Sequence, residues 1–76
     1  MDIKLARYIK ELRTGNPLRS WRRVAEIIIK EYPDFIEKDY GKDSLTDLYG
    51  NQLLGQELCE EAMEVLGESK EDWGEL

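Results

Sequence analysis

The chain has 76 residues, of which 41% are hydrophobic and 37% charged, and it carries a net charge of −6 with one cysteine and no histidine. That length fits one small domain, which removes only about 60% of its unfolded surface from water on folding, and the apolar fraction suits a folded chain rather than a disordered one. Cys59 alone excludes an intrachain disulfide, the lack of histidine removes the commonest metal ligand and general base, and no apolar run approaches the roughly 18–20 residues that cross a bilayer, so a cytoplasmic setting is expected.

In chain order, the first helix is expected over residues 3–14. Asp2 stands at its N-cap, Leu5, Tyr8, Ile9 and Leu12 fall at i, i+3, i+4 and i+7, and Gly15 occupies the position where a left-handed C-terminal residue is wanted. Asn16-Pro17 then breaks the chain. The segment RSWRRVAEIIIKEYP reads as the second helix, capped by Ser20 and closed by Pro33. Trp21, Val24, Ala25, Ile28 and Tyr32 form its apolar stripe, widened by Ile27 and Ile29, while Arg22, Glu26 and Lys30 keep a helical outer face.

Short helical pieces are expected next: one from Pro33 through Tyr40 ended by Gly41, and a turn through Tyr49 opened by a capping box of Ser44 and Asp47. Asp39, Asp43 and Asp47 do not meet the spacing of an EF-hand calcium loop, which needs a glycine sixth and a glutamate twelfth, and read as a solvated acidic face. The last strong helix is GNQLLGQELCEEAMEVLG, residues 50–67, with Asn51 as cap, Leu54, Leu58, Ala62 and Val65 as its stripe, and Gly67 as terminator. Gly55 costs such a helix about 1 kcal/mol against alanine, so it either allows another backbone to approach closely, the second helix being the expected neighbour, or marks a break after a first turn. Residues 1–67 thus form a single helical domain, and residues 68–76 an acidic, flexible tail in which Trp73 either docks on the body or meets a partner.

Charge is unevenly placed. Residues 1–33 carry eight basic groups against four acids, a balance of +4, whereas residues 34–76 carry three against thirteen, a balance of −10. Phosphates respond to the local field of one face, so the overall acidity does not exclude nucleic acid. Arg13, Arg19, Arg22 and Arg23 gather around the first loop and the start of the second helix, where the helix amides add their own attraction for anions. Alternatively Arg22 pairs with Glu26, and Arg19 and Arg23 meet acids of residues 57–64.

Catalysis is not expected, nor a cofactor, metal or small-molecule substrate. Cys59 has no histidine to activate it and sits in a helix stripe beside Leu58 and Ala62, and the chain lacks a phosphate-binding glycine loop and zinc-ligand spacing.

The pieces SWRRVA, YP, GNQLLGQELCEEA and the closing LG, within residues 18–67, resemble a pattern in small prokaryotic and phage-related all-helical proteins of helix-turn-helix-like fold. The resemblance implies an all-α, small trihelical bundle with extra short helical turns, and no specific activity. In the helix-turn-helix class the third helix reads the major groove. Here that helix carries Glu57, Glu60, Glu61 and Glu64 and no basic residue, which leaves Asn51, Gln52 and Gln56 as base readers.

Two functions are therefore expected. The first is a non-catalytic protein-interaction module, using Glu57, Glu60, Glu61, Glu64 and Trp73 toward a protein partner or self-associating through opposite charges. The second is a helix-turn-helix-like DNA-binding or regulatory protein with Arg13, Arg19, Arg22 and Arg23 on phosphates.

Overall fold

The computed structural model describes residues 1–15, 17–41 and 48–74. These form α1 (Ile3–Thr14), α2 (Trp21–Glu31), α3 (Pro33–Tyr40) and α4 (Leu48–Leu66), then a 3-10 turn at Glu71–Trp73, with no strand among the described residues.

Asp2 opens α1 as expected, its carboxylate accepting from the Leu5 amide at 2.7 Å. Leu5, Ala6, Ile9 and Leu12 are buried, while Tyr8 stays at the edge and donates its hydroxyl to Glu31 of α2 at 2.6 and 2.8 Å. The hydrogen bond to Glu31 pushes the Tyr8 phenol up to about 12. With residue 8 facing 31 and the Arg13 guanidinium over the Trp21 ring, α1 and α2 run antiparallel.

The end of α1 differs from expectation. Gly15 is not left-handed: its backbone is extended, with φ −69° and ψ −177°. The reason lies in the loop, where Arg19 turns back and its Nη1 donates to the Leu12 carbonyl at 3.2 Å. A guanidinium thus satisfies a terminal carbonyl that a left-handed turn would otherwise help to cover.

Ser20 caps α2, accepting from the Arg23 amide at 3.1 Å. Its stripe is buried at the centre, at Val24, Ala25 and Ile28, and opens at the edges, where Tyr32 is 43% exposed. Pro33 starts α3, where a missing N–H costs nothing, and Gly41 ends it at φ +87°.

Helix α4 packs on both α1 and α2 and supplies Leu54, Leu58, Cys59, Ala62 and Met63 to the core. At its crossing with α2, a Cβ on Gly55 would stand 1.9 Å from the Trp21 carbonyl oxygen. The backbones touch there, and the glycine expected to allow close packing does so. Asn51 does not cap this helix. The helix already starts at Leu48, and Asn51 lies on the same face as Leu54, Gly55 and Leu58, where it is 8% exposed. Asn16, Asp43 and the capping box of Ser44 and Asp47 lie outside the described residues.

A further correction concerns residues 68–74, expected as a flexible tail. Gly67, at φ +68°, closes α4 with the Glu68 amide bonded to the Met63 carbonyl at 2.8 Å and its own amide to Glu64 at 3.2 Å, a Schellman turn. The Ser69 amide donates to Asp72 at 2.8 Å, and the chain returns to bury Trp73 to 3% exposure. A large indole so close to the domain gains more from apolar burial than the short segment loses in entropy.

Substituting Gly55 by alanine separates helix propensity from packing. Propensity alone favours the variant by about 1 kcal/mol. The backbone contact with Trp21 predicts a net loss of about 1–3 kcal/mol, seen in thermal unfolding by circular dichroism as a Tm lower by about 4 °C or more.

Candidate binding surfaces

The arginines of the first loop first hold the loop. Arg13 Nη1 donates to the Arg19 carbonyl at 2.5 Å, and the same guanidinium stands 4.9 Å from the Trp21 ring centroid. Arg19 closes α1, while Arg22 and Arg23 pair with Glu26 at 3.4 and 3.3 Å. The Arg22–Glu26 pairing matches one expected alternative. Arg19 and Arg23 differ from it, because the groups they engage are Leu12 and Glu26 rather than acids of residues 57–64.

Of the residues expected to meet nucleic acid, Arg13, Arg22 and Gln52 converge. Together with Ser20 and Trp21 they line one open cleft of about 330 Å³ where α2 begins and α4 passes. Gln56 lies beyond Trp21, in a smaller cleft of about 90 Å³ shared with Cys59, Met63 and Lys70. Arg19 and Arg23 face a different groove between α1 and α2, which also holds Glu26 and Glu31. Asn51 is buried, so it is no surface reader, and its Oδ1 has no hydrogen-bond partner. Trp21 is the functional candidate that sequence reasoning placed only in the core. Its position at the first turn of a capped helix, next to two arginines, was the available signal.

The acidic candidates also divide. Glu57, Glu60 and Glu64 are exposed on the outside of α4, in line with Leu53, which is 50% exposed. Among the described residues no ion pair engages these three carboxylates. Glu61 is drawn inward instead, accepting from the Tyr40 hydroxyl and lying 3.5 Å from the Met1 amine. Burial, and then the Glu61 hydrogen bond, push the Tyr40 phenol well above its ordinary range. Trp73 is taken from the partner-binding set as well: its indole is in the core, and its Nε1 donates to Glu68 at 2.9 Å.

Glu68 joins three parts of the fold, since its other oxygen accepts from Lys10 of α1 at 2.8 Å. Those two hydrogen bonds, Lys10's the larger, hold its carboxyl below the usual carboxylate range.

Among the described residues no group of three metal-ligating side chains occurs, and no helix is long and apolar enough to cross a membrane. Comparison of the chain with protein-family models, with curated proteins and with solved structures finds no match.

Two measurements check the Trp73 and Glu68 contacts. The Trp21→Phe variant leaves Trp73 as the sole indole, and its emission is expected to be blue-shifted and to turn red only on unfolding; Trp73→Ala is expected to cost about 3–5 kcal/mol. A depressed folded pKa means that Glu68 contributes fully above the ordinary carboxylate range and loses its contribution as pH falls through the folded value. Urea midpoints measured from neutral pH downward should therefore fall less steeply for Glu68→Gln than for the wild type.

Proposed function

We propose that this chain is a non-catalytic helical interaction module that binds a basic segment of another protein along the outer face of α4. The observation that carries the reading is the unequal use of charge. Arg13, Arg19, Arg22 and Arg23 all have contacts within the fold, whereas Glu57, Glu60 and Glu64 hold no ion pair among the described residues. Like charges three and four apart on a helix cost about 0.2–0.5 kcal/mol per pair, so this face is destabilising alone and gains when a basic partner neutralises it. Leu53 adds an apolar anchor at one end of the acidic row. Apolar contact then supplies affinity, and the carboxylates set encounter rate and orientation.

A helix-turn-helix-like DNA-binding protein is the second reading. The convergence of Arg13, Arg22 and Gln52 on one cleft supports it. Against it stands the acidic outer face of α4, which would repel the phosphates flanking a major groove.

Calorimetric titration with a Lys/Arg-rich amphipathic peptide tests the first reading. Binding that weakens with salt is expected, and the triple change Glu57→Gln, Glu60→Gln, Glu64→Gln should remove it while raising Tm. Equal peptide affinity in wild type and triple variant would sink the α4 face as the site.

A further inference from the structure

We infer that the partner of the acidic α4 face is a second copy of this chain, which presents the groove between the start of α1 and the start of α3 together with Lys4 and Arg7. The inference rests on the α4 reading above and names its basic partner.

The groove holds about 360 Å³ and is lined by Met1, Asp2, Lys4, Leu5, Tyr32 and Phe35. Met1, Leu5, Tyr32 and Phe35 give it apolar walls. Asp2 is already engaged as the cap of α1, accepting from the Leu5 amide at 2.7 Å, so Lys4 is the charge left at the opening. Arg7 stands three residues on, where helix geometry brings side chains together, and both cations are exposed and hold no ion pair among the described residues. The aromatic walls are braced from behind. Tyr32 meets Tyr8 edge-on with ring centroids 6.3 Å apart, and Phe35 meets Tyr40 in the same way at 5.9 Å. The groove is thus formed before anything enters, and docking loses little side-chain freedom there.

The α4 face is the converse of this surface. Leu53 projects with 50% of its surface exposed, and Glu57, Glu60 and Glu64 follow it along the same side of the helix. An aliphatic knob followed by carboxylates faces an apolar hollow followed by cations, and the steps match: Leu53 to Glu57 rises about 6 Å and Lys4 to Arg7 about 4.5 Å. With Leu53 of one copy in the groove of the next, Glu57 and Glu60 come within reach of Lys4 and Arg7. Glu11, one turn beyond Arg7, ends the basic row, so the incoming α4 crosses α1 instead of lying along it.

Both halves of the contact are carried by one chain, which favours a second copy over an unrelated basic protein. Residues 1–33 balance to +4 and residues 34–76 to −10. The net charge of −6 opposes approach at long range, yet at physiological ionic strength exposed charges more than about 8 Å apart are largely screened, whereas charges in contact still attract. The contact joins two different faces and is heterologous, each copy offering a knob to one neighbour and a groove to another.

The test is sedimentation of the full chain from micromolar to millimolar concentration. Mass is expected to rise with concentration near physiological salt and to fall back at about 1 M, where the screening length is about 3 Å. The double variants Lys4→Glu, Arg7→Glu and Glu57→Lys, Glu60→Lys should each keep the wild-type circular dichroism spectrum and weaken self-association by about tenfold or more. Mixed, the two should form a 1:1 complex, because one retains the α4 face and the other the groove. The inference is overturned if the wild type stays monomeric at millimolar concentration, if Lys4→Glu, Arg7→Glu associates like the wild type, or if the mixture forms no complex. In each of those cases, salt-sensitive binding of the basic peptide that the triple glutamine variant abolishes leaves the α4 reading standing with a different partner, and absence of that binding removes both.

Discussion

The close approach of Gly55 to the Trp21 carbonyl is the constraint on which the other features depend. With 1.9 Å between a Cβ at that position and the carbonyl oxygen, only a glycine lets the two backbones meet. That contact fixes the start of α2 against the first half of α4. Trp21 is thereby wedged between two clefts, Gln52 comes beside Arg13 and Arg22, and Leu58 and Ala62 are carried into the core below. A small domain has little apolar surface to spare, so a tight crossing of this sort is an efficient way to pack one long helix against two shorter ones.

Charge has two separate roles in the molecule. On the basic side it closes backbone: a guanidinium bonded to a carbonyl contributes about 1.5–3 kcal/mol, and Arg13 and Arg19 make such bonds at both ends of the first loop. The pairs of Arg22 and Arg23 with Glu26 are exposed and contribute far less. That difference divides the four arginines into two that hold the loop and two held by weak surface pairs. On the acidic side, Glu61 and Glu68 knit the fold together, while Glu57, Glu60 and Glu64 make no ion pair among the described residues.

Glu68 and Trp73 show how a polar-looking terminus becomes part of a core. Lys10, Glu68 and the Trp73 indole form a chain of hydrogen bonds from α1 to the 3-10 turn. The indole is buried and its one polar atom is satisfied, which is the condition under which tryptophan stabilises an interior.

The sequence by itself determined the local features. Asp2 and Ser20 as caps, α1 over Ile3–Thr14, Pro33 and Gly41 bounding α3, and Gly67 as terminator all follow from hydrogen bonds and torsions spanning a few residues, which neighbouring side chains dictate. The role of Gly55 was legible for the same reason: a helix-weakening residue inside a strong helix needs a compensating contact. Part of the candidate site was legible too, since Arg13, Arg22 and Gln52 stood out by type. Only the tertiary structure decided that these three share a cleft with Trp21, that Arg19 closes α1 in place of a left-handed Gly15, that Asn51 is buried rather than capping, and that Glu61 and Trp73 face inward. Each of those outcomes depends on a partner distant in the chain or on how helices cross, and a local pattern of polar and apolar residues contains no information about which distant group arrives.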